Sequence, residues 1–233
     1  MEIVRKELQE FADSEKAKIL QRFFKTGSGQ YGEGDVFLGV SVPKLRWIAR
    51  KHWDRINMDE IEKMLRSNIH EKRLVALLIL IELFKDNPKV VYNFYLRNLK
   101  GVNNWDLVDL SAPKIIGSYL LDKKDRGILD ELASSENLWE KRIAIVSTFT
   151  FIQDGEFDDC LRIAKVLLKD KHDLIHKAVG WMLREVGKRD EDLLREFLAR
   201  HYNEMSRTTL RYAIERFGED LRIKYLKGDY ERL

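Results

Sequence analysis

Residues 68–80, "NIHEKRLVALLIL", place a polar residue, an apolar residue and a cationic pair ahead of the apolar run Leu74–Ile81. The arrangement recurs as "NLWEKRIAIVSTF" from Asn137 and "DLIHKAVGWMLRE" from Asp173, at spacings of 69 and 36 residues. Because 69 is nearly twice 36, a degenerate copy is expected near residue 103, where "NNWDLVDLSAPKII" stands. "SRTTLRYAIERFG", from Ser206, lies one repeat beyond Asp173. A period in the mid-thirties is that of stacked helical pairs, and the shared "EKR" opening of two copies argues against chance. The spacing predicts an all-α fold, a curved superhelical stack of HEAT-like helical-pair repeats. It forms a single domain over residues 1–233, with a Gly-rich loop at about 27–39. An Asn or Asp cap is expected ahead of each repeat helix, at Asn68, Asn137 and Asp173.

The rest of the chain reads the same way. Segments such as "DEIEKMLRSN", "EFDDCLRIAKVLLKD" and "EDLLREFLARHY" set apolar residues three and four apart, while strict alternation is scarce, so about a dozen helices and no strand are expected. The three prolines, Pro43, Pro88 and Pro113, stand where helices can begin. "LVALLILI" is well short of the roughly 20 residues needed to cross a bilayer and reads as a buried helix. Among 233 residues, 42 Lys and Arg nearly balance 39 Asp and Glu, so a polyanion partner would require clustered cations. The single cysteine, Cys160, rules out an internal disulfide framework, and "MEIVRKELQEFADSEK" is too charged for the core of a secretory signal. A cytoplasmic monomer without membrane contact is expected.

The repeats carry a functional inference. If Leu74, Leu110, Ile143 and Val179 share one column, Arg73, Asp109, Arg142 and Ala178 share the column before it. Trp105 is four residues before Asp109 and Trp181 three after Ala178, so Trp105, Asp109, Arg142 and Trp181 are expected on one surface. A guanidinium suits phosphate and indole faces cover sugars, bases or cations. A carboxylate among phosphates is unfavourable unless positive charge develops beside it, as it does at the anomeric carbon when an N-glycosidic bond breaks. The same residues equally fit a structural role, with the tryptophans in the core and Asp109 paired to Arg142 between repeats.

"NNWDLVDLSAPKIIG", "ENLWEKRIAIVSTF" and "HKAVGWMLREVGKR", in that order, resemble the AlkD-type DNA alkylation-repair glycosylases, an all-helical HEAT-like family. The resemblance implies excision of cationic N3- or N7-alkylated purines from duplex DNA to leave an abasic site, without a metal or other cofactor. By motif match Asp109 would be the catalytic carboxylate, Trp105 and Trp181 would pack beside the deoxyribose, and Arg142 would lie against the DNA backbone. Phe23 aligns with a tyrosine of the family and would contact substrate; Asn104 stands where members carry a second tryptophan. Lys44, Arg46, Arg73, Lys114, Lys141, Lys177 and Arg211 recur near helix starts and would track a phosphate backbone, or else form solvated faces. The rival functions are a non-catalytic binder of branched or distorted DNA and a HEAT-like protein-interaction scaffold.

Three other signals carry less. "GSGQYG", Gly27 to Gly32, matches a dinucleotide pattern, but it follows the helical "EKAKILQRFFKT" and not a strand. It is read as part of a flexible loop whose glycines and Tyr31 touch DNA or only connect helices. His172 and His176 stand four apart without further ligands nearby in sequence, so no metal is expected. Cys160 has no histidine neighbour and reads as a semi-buried helix residue.

Overall fold

The computed structural model describes residues 2–229 and is 71% helical. Among these residues no strand forms; Val36 and Ile69 make one isolated bridge. The all-α expectation is met. The chain condenses into two compact units, residues 1–111 and 112–233.

The first unit contains α1 (Glu2–Glu10), α2 (Ser14–Phe23), α3 (Val42–His52), α4 (Met58–Leu65), α5 (His70–Phe84), α6 (Pro88–Arg97) and α7 (Trp105–Ala112), the last ending one residue past the unit. Helix α5 is its axis. Every residue from Arg73 to Leu80 is buried, and α3, α4 and α6 all pack on it. A helix apolar on all sides must be wrapped by neighbours, which is what the run "LVALLILI" specifies.

The segment between α2 and α3 was expected to be a flexible loop, yet its second half is held down. Val36 donates its backbone N–H to Asn68 O and accepts from His70 N, each at 2.9 Å. The buried Glu71 carboxylate accepts from the N–H groups of Leu38, Gly39 and Val40 at 2.8–3.3 Å. Gly39 has φ +84°, and a Cβ there would meet the Asp13 carbonyl oxygen at 2.1 Å, so only glycine lets the loop pass α2. The correction has a simple cause: a carboxylate from α5 supplies the acceptor that these backbone donors lacked in the sequence reading.

The second unit opens with a π-helical segment, Pro113–Gly117, and continues through α8 (Ser118–Leu120), α9 (Ile128–Ala133), α10 (Leu138–Ser147), α11 (Phe149–Asp154) and α12 (Asp158–Leu167). It ends with α13 (Asp173–Gly187), α14 (Glu191–His201), α15 (Arg207–Ala213) and α16 (Glu219–Lys227). Helices α10, α13 and α15 begin the repeats recognised in the sequence, and α13 packs on both of the others. Gly180 permits the tightest of these contacts, since a Cβ there would lie 2.5 Å from Tyr212 Cβ and 2.6 Å from Thr209 O.

Some local expectations change. Asn137 caps α10, accepting from Trp139 N and Glu140 N, and Ser206 caps α15. Asn68 and Asp173 do not cap: Ile69 and His172 occupy those positions, and His172 Nδ1 accepts from Leu174 N. Pro43 and Pro88 lie in first turns as expected. Pro113 instead follows α7 without a break, because a proline inside a helix offers no N–H and its ring crowds the carbonyl four residues back, which widens the ladder to a π turn.

Candidate active site

Helix α7 begins at Trp105 because Asn104 turns its own side chain to accept from Trp105 N at 2.8 Å. Trp105 and Asp109 are one turn apart and both half-buried, so they share a face of α7. The indole is packed from the loop side: Phe24 stacks on it with centroids 5.2 Å apart and planes 11° from parallel. Phe23, 60% exposed, meets it edge-on at 6.0 Å. Such offset and edge contacts are favoured by the ring quadrupoles. Phe23 thus lies beside Trp105 at the rim, and the buried partner that fixes the indole is Phe24.

Behind this turn lies a group of charges that sequence reasoning missed. Asp106 Oδ2 accepts from His70 Nε2 at 2.8 Å, and His70 Nδ1 faces Asp35 Oδ2 at 3.0 Å. Arg73 Nη2 lies 2.6 Å from the same Asp35 oxygen, and Asn104 Nδ2 donates to it at 3.3 Å. Carboxylates only accept, so Nε2 donates to Asp106, while Nδ1 faces Asp35 and, at 3.4 Å, also Arg73 Nη2. Burial alone would lower the His70 pKa, but hydrogen bonding to the Asp106 and Asp35 carboxylates outweighs it and raises the pKa above its ordinary value. Burial pushes Asp35 the other way, and the His70 hydrogen bond and Arg73 charge together bring its carboxyl below the usual range. Asp109 adds to the burial that raises the pKa of the Tyr95 phenol, whose hydroxyl shares a 2.8 Å hydrogen bond with Ser111. The signal available in advance was the histidine in "NIHEKR", to which the repeat alignment assigned no role.

In the second unit Trp181, half-buried on α13, packs against Phe149 at 5.9 Å. Arg142 is only 5% exposed, and its Nη1 donates to Leu174 O at 2.6 Å. Arg73 is its counterpart in the first unit, 2% exposed with Nη1 donating to Ser67 O at 2.7 Å. The arginine of the "EKR" opening thus turns inward in both copies to close a backbone carbonyl. For Arg73, whose guanidinium also meets Asp35, this replaces the expected phosphate contact.

The remaining cations divide by exposure. Lys44, Arg46, Lys114 and Arg211 are exposed, with Lys44 over the Phe11 ring at 4.5 Å. Lys141 is bound to Asp170 at 2.8 Å and Lys177 to Asp173 at 2.7 Å. Lys177 and Arg211 nonetheless line one cleft of about 560 Å³ with Thr208, Tyr212 and Arg222. Arg222 was not anticipated, because its helix α16 falls beyond the last aligned repeat.

Among the described residues no three His, Cys, Asp or Glu side chains are placed to share a metal ion, and no helix is long and apolar enough to cross a membrane. His176 Nε2 bonds to Asp170 O at 2.6 Å. Cys160 is fully buried, more so than expected, and its thiol is pushed up to about 12 by that burial.

Comparison with curated proteins returns no match. Among solved structures, a predicted DNA alkylation repair enzyme from Enterococcus faecalis superposes with a TM-score of 0.71 at 17% identity, over 89% of this chain and 97% of that one. At that identity the likeness speaks to the fold. A family model described as DNA alkylation repair enzyme matches residues 4–217, which takes in α7, its aromatic platform and the helices bearing Trp181 and Arg142. This chain is a member of the DNA alkylation repair enzyme family.

Proposed function

We propose that this protein is a monofunctional DNA glycosylase that hydrolyses the N-glycosidic bond of cationic N3- or N7-alkylated purines in duplex DNA. The observation that carries the reading is the single turn of α7 bearing Trp105, on its Phe24 and Phe23 platform, and Asp109 one turn on. An alkylated purine is already positive, so it departs with the bond's electron pair and becomes neutral without prior protonation. Positive charge then grows on the sugar, where the Asp109 carboxylate would stabilise it and hold the attacking water, and an indole face would cover the deoxyribose. By motif match, Trp181 would also pack on the sugar, while Arg142, buried with Nη1 on the Leu174 carbonyl, would brace its own unit from within and not touch a phosphate. The exposed cations Lys44, Arg46, Lys114 and Arg211 would meet phosphates, as would Lys177. The enzyme would act as a cytoplasmic monomer of HEAT-like repeats, and the chemistry asks for no cofactor.

The test is release of free base from alkylated duplex DNA in the presence of a chelator. Release of 3-methyladenine or 7-methylguanine, with negligible release of uracil or hypoxanthine, is expected. Efficient uracil release, or loss of activity to the chelator, would overturn the mechanism. DNA binding that weakens steeply with salt but yields no free base would instead identify a non-catalytic DNA binder.

A further inference from the structure

The buried charges behind α7 have no role in the reaction as described above, and resting on that reading we propose that His70, clamped between Asp35 and Asp106, is a positioning residue. It fixes the first turn of α7 and through it the placement of Trp105 and Asp109. The clamp joins three segments distant in sequence: the loop through Asp35, helix α5 through His70 and Arg73, and α7 through Asp106. His70 reaches the turn by two routes. One is the direct bond to Asp106, the residue after Trp105. The other is aromatic: the imidazole packs on Phe37 at 4.4 Å and Phe24 at 5.1 Å, and Phe24 carries the Trp105 indole.

Stability alone is a poor reason for such a group. A buried set of ion pairs is often no more stable than apolar residues of the same shape, whereas its directional bonds permit one geometry. Asp106 shows how much depends on the ring, since its second oxygen, Oδ1, is buried without a partner. Without His70 both oxygens would be orphaned, and the turn would have to reorganise to hydrate them. The charged groups facing the ring are Asp35 from the loop, Asp106 from α7 and Arg73 from its own helix. Glu71, next to it on α5, is spent on the loop N–H groups.

The test combines a turnover readout with one that does not need turnover. Single-turnover release of 7-methylguanine from duplex DNA is followed against pH for wild type, His70→Gln and Asp35→Asn, while the His70 ring and the Trp105 indole N–H are followed by NMR. In wild type the rate is expected to fall on the basic side with the same midpoint at which the His70 ring titrates. Asp35→Asn, which keeps the ring but removes one facing charge, should shift both midpoints down together, by roughly one pH unit. His70→Gln should displace the indole signal, slow release at least tenfold with little change in DNA affinity, and abolish the basic limb. If that variant does not fold, the paired shift in Asp35→Asn decides. A folded His70→Gln with an unmoved indole signal, or a basic limb that ignores Asp35→Asn, overturns the proposal. Wild-type protein that releases no base would remove the glycosylase reading, and the indole response to His70→Gln would still decide whether His70 positions the turn.

Discussion

Phe24 and Trp105 lie face to face, 5.2 Å apart and 11° from parallel, while Phe23, the next residue back, touches the same indole edge-on from solvent. Two consecutive phenylalanines are thus divided between the interior and the rim. Phe24→Ala should destabilise the protein by about 3–5 kcal/mol, the usual cost of emptying an aromatic core position. Phe23→Ala should change stability by no more than about 0.5 kcal/mol. Urea denaturation of the two variants checks this, and comparable losses would mean that Phe23 is part of the core.

Asp109→Asn should abolish base release, by roughly a hundredfold or more, because it removes the stabilising charge from the transition state. Affinity for DNA should be unchanged or slightly higher, since a repulsive anion is removed with it. Filter binding alongside single-turnover release separates the two effects, and equal loss of both would assign Asp109 a structural role.

Arg142 and Arg211 should behave as opposites. Arg142→Ala leaves the Leu174 carbonyl without its 2.6 Å donor inside the second unit, so a loss of about 1–3 kcal/mol in stability is expected. Arg211→Ala, at an exposed cleft position, should leave stability nearly intact and reduce the salt dependence of DNA binding by about one phosphate contact. A salt slope that changes for Arg142 and not for Arg211 would reverse the assignment.

His172 caps α13 only when neutral, because its Nδ1 accepts from Leu174 N. Burial lowers its folded pKa, with the Asp170 and Asp173 charges opposing. A histidine depressed on folding contributes stability above its unfolded pKa, about 6.5, and that contribution is lost as pH falls through the folded value. His172→Asn preserves a capping oxygen. Denaturation midpoints measured between about pH 7.5 and 5 should therefore fall further in wild type than in the variant, and parallel curves would exclude the effect.

Much of the molecule was legible one helix at a time. The period of the "EKR" helices, the buried run in α5 and the Asn137 cap are local matters, decided by residues three or four apart on one helix. The pairing of Trp105 with Asp109 is local too, since an i, i+4 spacing puts them on one face whatever surrounds it. Pro113 was misread because the consequence of a proline depends on whether α7 continues into it.

What the sequence by itself determined is the all-helical architecture and the turn that bears the candidate carboxylate. Tertiary structure alone decided which charges face inward. His70 meets Asp35 and Asp106 across 35 and 36 residues; the repeat period puts His70 and Asp106 in equivalent positions, but it does not say that their side chains bond to each other. Arg73 and Arg142 stand in a repeat position that looks like a phosphate contact, yet each finds a backbone carbonyl to close. A long cationic side chain can lie on either side of a helix surface, and the partner waiting for it belongs to another segment of the chain.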